Sequence, residues 1–238
     1  MSKVDVSIIL ACYNEGLTLR ASVDRIIGVL KKTKKSWEII FVEDKSVDGT
    51  VETVKKLANE IKNSKVIFHK KNMGRGKSVT DGIKAARGNI CGYLDVDLEV
   101  SESYILLFVD EIEKGNDMVV GRRFYEGGLK SFTRYLASKA YALMVNLLLK
   151  IPISDTEAGY KFFNRAKILP VLDRIRDNHW FWDTEICARS YWSDLTISEI
   201  PVLFVRRTDK KSTVKLFSDS WDYLLKILNF RKEVPRSF

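Results

Sequence analysis

Five short apolar runs, each followed by a helical pattern, fill the first half of the chain. This alternation constrains the fold more than any other feature. VSIILA (6–11) and EIIFV (38–42) are continuous and rich in β-branched residues, as strands buried on both faces are. KVIFH (65–69), NICGYLD (89–95) and DMVVG (117–121) supply three further strands. Between them, Leu19, Val23, Ile26, Ile27 and Leu30 share one helical stripe. Val51, Val54, Leu57, Ala58 and Ile61 share another, with Asp48 as its expected cap. Helix patterns also cover 76–87 and 101–113. Strands alternating with helices over short connections imply βαβ units and a mostly parallel sheet, hence an α/β fold.

The second half changes character. It predicts a long apolar helix over about 130–149, a polar loop at SDTEAG, and helices near 165–175 and 183–192. A strand over 196–205 and an amphipathic segment holding Trp221, Leu224, Leu225, Ile227 and Leu228 complete it. With no internal repeat or low-complexity linker, the expectation is a single domain spanning 1–238.

Composition narrows the class of partner. Lys and Arg outnumber Asp and Glu by 40 to 31, a net charge of +9. The excess clusters in KKTKK (31–35), HKK (69–71), RRTDKK (206–211) and FRKEVPR (230–236). Such a balance favours anionic partners: nucleic acid, an acidic membrane surface or phosphorylated small molecules. No nucleic-acid recognition motif is present. Cys12, Cys91 and Cys187 lack metal-ligand spacing and read as buried thiols in a reducing compartment. The N-terminus lacks the pattern of a signal peptide, and no apolar run reaches the ~20 residues that span a bilayer. The expected location is the cytoplasm, free or at the cytoplasmic face of a membrane.

In an open parallel sheet, ligands sit at the carboxyl ends of the strands. Here those ends read CYNEG (12–16), EDKSVDGT (43–50), DVDLE (95–99) and GRR (121–123). If DVDLE stays extended, Asp95, Asp97 and Glu99 fall on one face, opposite Val96 and Leu98. Three like charges so placed repel unless a cation relieves them, and Mg²⁺ or Mn²⁺ suits carboxylates that share it with phosphate. The plainer reading is a solvated strand end that caps the helix at 101. Asp44 can accept hydrogen bonds from a base or sugar hydroxyl, as can Glu15, and Tyr13 can stack. All three also suit ordinary loops. GRGKS (74–78) is not a phosphate loop, because Lys71 stands where that loop needs glycine. Its helix start, flanked by Arg75 and Lys77, can still meet phosphate. His69 and His179 are isolated.

Taken in order, these motifs resemble the family-2 glycosyltransferases of GT-A fold, above all dolichyl-phosphate mannose or glucose synthases and bacterial polyprenyl-phosphate glycosyltransferases. ACYNE resembles PxYNE, with Ala11 for proline, and VEDKSVDGT resembles VDDxSxDGT, with Glu43 for the first Asp. DVDLE matches the DxD block, VVGRRF the VxGSRY block and SDTEAGYKFF the DxxxGF segment. FWDTEI and ISEIPVLFVRR…STVKL follow at family spacing.

The resemblance implies a nucleotide-sugar half, 1–123, and an acceptor-side half, 124–238. Tyr13, Glu15, Val42 and Asp44 are then expected to cradle base and ribose of a GDP- or UDP-hexose. Asp95 and Asp97 are expected at the nucleotide and the metal. Glu99, where relatives often carry Gln, adds a third charge to that metal set. Arg123, Arg134 and Ser138 are expected to grip an acceptor phosphate, with Arg207 or Lys211 assisting. The implied reaction is inverting, metal-dependent transfer to a polyprenyl phosphate, with Asp97, Arg123, Arg134 and Asp155 as the catalytic set. An anionic phosphate acceptor needs no general base. A hydroxyl acceptor does, and Asp155 and Asp183 are the candidates for it. The apolar helix holding Leu143, Met144, Leu147, Leu148 and Leu149 then either lies in the membrane interface or packs in the core.

Overall fold

The computed structural model describes residues 4–125, 141–206 and 216–235, with side chains of the last segment from Tyr223 onward. Seven strands form one sheet: β1 (Val6–Cys12), β2 (Trp37–Glu43), β3 (Ser64–Phe68), β4 (Ile90–Leu94), β5 (Met118–Tyr125), β6 (Tyr160–Asn164) and β7 (Ile197–Phe204). Their order is β3-β2-β1-β4-β6-β5-β7. β3, β2, β1 and β4 pair in parallel, as do β5 and β7, whereas β6 runs antiparallel to both β4 and β5. The sheet is thus mostly parallel, as the alternation predicts.

β6 is the element the sequence pattern does not reveal. It is five residues long and carries Lys161 at its second position, between Tyr160 and Phe162. Its short length and the lysine at its second position hide a strand that the tertiary fold buries from Tyr160 to Phe163. Because β6 runs backwards, the loop before it reaches the sheet at the same edge as the carboxyl ends of β1, β2, β4 and β5. That places SDTEAG on the rim.

Helices cover both faces: α1 (Leu19–Leu30), α2 (Thr50–Glu60) and α4 (Ile105–Glu113), then α3 (Arg75–Ala85), α6 (Arg165–Leu172), α7 (Trp182–Tyr191) and α8 (Leu216–Phe230). α5 is described over 141–149. Successive β1 residues divide between two cores. Ile8 and Leu10 join Val54, Phe108 and Phe162 on one face, and Ile9 joins Val79, Tyr93 and Trp182 on the other. Burial on both faces is the physical reason β1 and β2 lack polar alternation. α5 sends Val145 and Leu149 into the second core while Leu143 and Leu147 stay 60% and 70% exposed. It is therefore a core helix on one side and an open apolar surface on the other.

Candidate active site

The rim above β1 and β2 is stitched by short polar side chains to backbone. Asn14 and Lys45 both take left-handed backbone conformations, with φ of 57° and 63°, which turn the chain sharply after each strand. The Asn14 amide donates to Ser46 Oγ at 3.1 Å, and its Oδ1 accepts from the Val47 amide at 3.0 Å. The Glu15 amide donates to Thr50 Oγ1 at 2.7 Å and the Gly16 amide to Asp48 Oδ2 at 3.1 Å. Glu43 is buried and accepts from the amides of Lys45 and Ser46 at 3.2 and 2.7 Å. A carboxylate at this position thus closes its own turn. Gly49, rather than Asp48, occupies the α2 cap position, and Asp48 instead holds the Thr50 amide at 3.0 Å.

Two of the residues expected at base and ribose, Val42 and Asp44, are buried. Val42 lies wholly inside the second core, so its side chain is closed to a base or ribose. Asp44 is also buried, and three donors of the chain already reach it: the amides of Met73 and Gly74, at 2.7 and 2.8 Å, and His69 Nδ1 at 2.7 Å. An ionised carboxylate accepts about four hydrogen bonds, so little capacity is left. Asp44 anchors the loop that leads into α3. His69 accordingly lies between Asp44 and Asp81 rather than standing alone. Tyr13, by contrast, is half exposed at the rim.

DVDLE does not continue extended. The chain turns after Leu94, the Leu98 amide returns to the Asp95 carbonyl at 3.1 Å, and Leu98 has a left-handed φ of 53°. Burial still alternates, with Val96 and Leu98 inside and Asp95 exposed. The apolar residues pin the turn from below, and the acids ride above it. Asp97 has its pKa pushed up to about 6, by burial first and then by the neighbouring Asp95 carboxylate. Among the described residues, no three His, Cys, Asp or Glu side chains gather as a ready metal set. The trio of Asp95, Asp97 and Glu99 expected on one extended face is thus replaced by a turn. Two crowded carboxylates beside an open rim remain a donor set that suits Mg²⁺ or Mn²⁺ when diphosphate oxygens complete the shell.

Behind that turn runs a chain of buried charges. Arg75, at the start of α3, donates to Asp95 Oδ1 from Nε at 3.0 Å and from Nη2 at 2.6 Å. Its other nitrogen holds Asp183 of α7. The guanidinium also lies 5.3 Å from the Tyr93 ring centroid and 5.4 Å from that of Trp180. Burial opposes the Arg75 charge, but Asp183 and Asp95 outweigh it and raise its pKa well above the ordinary value. Asp183 in turn accepts from Lys161 Nζ at 2.6 Å and from the Tyr93 hydroxyl. Burial alone would raise the Asp183 pKa; Arg75 and Lys161 together bring it below the ordinary value. Gly159 leaves room for this pair, since a Cβ there would meet the Asp95 carboxylate and the Arg75 guanidinium and one of them would have to shift.

A second pair stands at the end of β5. Arg123 grips Asp155 with both prongs, Nε to Oδ2 at 2.7 Å and Nη2 to Oδ1 at 2.8 Å, while its amide also donates to Oδ2. Glu199 of β7 holds the adjoining turn through the amide and hydroxyl of Ser154, each at 2.9 Å. The two carboxylates named as candidate bases, Asp155 and Asp183, are therefore both ion-paired. Arg134, Ser138, Arg207 and Lys211 lie outside the described residues. Lys161, Tyr93 and Thr184 were not singled out in the sequence. Thr184 Oγ1 joins Thr156, Tyr223 and Tyr141, at 2.8, 2.9 and 3.2 Å. The one available signal was Lys161 itself, a charge inside an apolar run, which demands a buried acid.

Comparison with known proteins bears on this geometry. The chain is 30% identical over 213 residues to glycosyltransferase AglD of Haloferax volcanii, covering 87% of this chain and 34% of that protein. It is 27% identical over 222 residues to dolichyl-phosphate beta-glucosyltransferase of Saccharomyces cerevisiae, covering 84% of this chain and 66% of the relative. The chain thus spans between about a third and two thirds of these relatives' lengths. Glucosyl-3-phosphoglycerate synthase from Mycobacterium tuberculosis, crystallised with uridine diphosphate, superimposes with a TM-score of 0.72 at 17% identity, over 98% of this chain and 82% of that one. The same synthase has been crystallised with Mn²⁺, UDP-glucose and phosphoglyceric acid. That likeness establishes the GT-A type of α/β fold. The profile of the family described as "Glycosyl transferase family 2" matches residues 7–171, and the chain is a member of that family, a glycosyltransferase.

Proposed function

We propose that this glycosyltransferase moves a hexose from a nucleoside diphosphate sugar to the phosphate oxygen of a polyprenyl phosphate, with inversion at the anomeric carbon. The observation that carries the choice of acceptor is the state of the two candidate bases. Asp155 is clamped by Arg123, and Asp183 is held by Arg75 and Lys161 with its pKa lowered. Neither is poised to take a proton from a hydroxyl. A phosphate monoester is already anionic at neutral pH, so it attacks without a base. The yeast relative, by its name, acts on dolichyl phosphate.

In this reading Tyr13 and Glu15 border the base and ribose. Asp95 and Asp97 hold a divalent cation together with the donor diphosphate. When bound, the cation offsets the negative charge that grows on the leaving diphosphate. Arg75 approaches the same phosphates from the α3 side. Arg123 and Arg134, with Ser138 and Arg207, orient the acceptor phosphate for attack from the opposite face. The exposed apolar side chains of α5 and α8, Leu143, Leu147, Leu225 and Leu228, support docking of this side on a membrane surface. Among the described residues no helix is long and apolar enough to cross one.

A second reading places the sugar on the hydroxyl of a saccharide, a protein or a small phosphorylated acid. The structural neighbours crystallised with phosphoglyceric acid favour keeping the last of these in view. The two readings separate in one assay. The full chain is incubated with Mn²⁺ and UDP-glucose or GDP-mannose, against short-chain polyprenyl phosphate or phosphoglycerate. Lipid-linked sugar is expected; transfer to phosphoglycerate alone, or to neither acceptor, overturns the polyprenyl reading. Arg134→Ala is expected to raise the acceptor KM and to leave the donor KM unchanged.

A further inference from the structure

Lys161 lies in the middle of the sheet with no exposed surface, and no step of the proposed transfer uses it. An ammonium group has three donors, and all three are placed: Asp183 Oδ1 at 2.6 Å, the Ala158 carbonyl at 2.5 Å and the Tyr93 hydroxyl at 3.1 Å. Its partner Asp183 spends the other carboxylate oxygen on Arg75. Arg75 spends its remaining prongs on Asp95 at the open turn. Two cations and two carboxylates therefore alternate in one line, from the fully buried Lys161 to Asp95, which is 46% exposed at its side chain. The line is neutral as a whole. Without the inner lysine, Asp183 would draw the Arg75 guanidinium inward as its only cationic partner in the line.

We propose that Lys161 is a positioning residue for the donor: by neutralising Asp183 it sets the Arg75 guanidinium at the Asp95 turn, where a diphosphate arrives. The inference rests on the nucleotide-sugar reading above. Arg75 is aimed by two carboxylates, Asp183 and Asp95, and lies near the Tyr93 and Trp180 rings, so its position depends on the balance between those two acids. Ala158 adds a second link to the same turn. Its carbonyl is held by Lys161, and it precedes Gly159, whose bare Cα lets Asp95 and Arg75 meet.

The test measures UDP and GDP affinity in the presence of Mn²⁺ by calorimetry on the full chain. Variants are Lys161→Met, Lys161→Arg, Arg75→Met and the double Lys161→Met/Arg75→Met. Lys161→Met is expected to weaken nucleotide binding by about tenfold, the size of coupling usual within one ion network. Lys161→Arg is expected to recover part of the loss. In the Arg75→Met background, Lys161→Met is expected to change affinity less than twofold, because the lysine acts through the arginine. Equal losses in both backgrounds overturn the proposal, as does a lowered melting temperature with nucleotide affinity unchanged. Wild-type protein that binds neither UDP nor GDP overturns the donor reading itself, and this inference with it. Should Lys161→Met not fold, Lys161→Met/Asp183→Asn removes both inner charges together. With no inner carboxylate left to draw Arg75 away from Asp95, that protein is expected to bind nucleotide within about twofold of wild type, and affinity as weak as that of Arg75→Met overturns the proposal.

Discussion

The two sides of the rim are built by different physics. Over β1 and β2, hydroxyls, amides and the carboxylates of Glu43 and Asp48 bind the backbone of two adjacent strand-end turns, as in Asn14 to Ser46 and Val47, or Glu15 to Thr50. Over β4, β6 and β5, buried ion pairs join segments far apart in sequence, as in Arg75 to Asp183, Lys161 to Asp183 and Arg123 to Asp155. The first construction is a set of turns whose members each contribute modestly. The second gathers formal charge in a low-dielectric layer, where removing one partner strands the other. In the proposed reading the diphosphate meets the second side, while the first supplies fixed turns.

The largest effect expected from this contrast is on catalysis. Asp97→Ala should lower cation-dependent turnover by about a hundredfold or more, with the melting temperature nearly unchanged, because a carboxylate above the turn contributes little packing. Full turnover in that variant, or turnover indifferent to a chelator, would take the cation out of the proposal. Next in size is Asp155→Ala, which strands the largely buried Arg123. A loss of about 3 kcal/mol in urea unfolding is expected. A loss below 1 kcal/mol would mean that solvent reaches the arginine and that the two rims are less different than drawn.

On the other side, Thr50→Val removes the hydroxyl that accepts from the Glu15 amide and donates to Asp48. About 1 kcal/mol is expected, without the larger penalty of an orphaned charge. A drop as large as that of Asp155→Ala would erase the comparison. The smallest effect concerns pH. The Asp183 carboxyl has its folded pKa lowered, so the folded state binds its proton less readily than the unfolded chain does. Stability from this group is present above the unfolded pKa of about 4 and is lost as pH falls through the folded value. Asp183→Asn should therefore flatten the fall of melting temperature on acidification, while leaving the slope above neutrality unaltered. An unchanged acid limb would show that the line of charges is not coupled to folding.

Much of the β1–β2 side was legible. CYNEG and EDKSVDGT carry turn chemistry that acts within a few residues or across two adjacent strands, so pattern and position suffice. Asp44 shows where such reading stops. Its place at a strand end was clear, but the backbone of Met73 and Gly74 saturates it only because the chain after β3 folds back over it. DVDLE kept its burial alternation while abandoning the strand, since a turn pinned by Val96 and Leu98 satisfies the same pattern. β6 escaped notice because five residues with a lysine at the second position match no period strongly.

The sequence by itself determined the α/β architecture, the two-sided burial of β1 and β2 and the family, because these depend on local periodicity and on motifs a few residues long. Only the tertiary structure decided which carboxylate meets which cation. Asp95, Arg75, Asp183 and Lys161 come from four separate elements, and no spacing within the chain relates them. Their pairing is set by the reversal at β6, which brings a buried ammonium beneath Asp183, and by Gly159, which lets two charged side chains share the space a methyl group would fill.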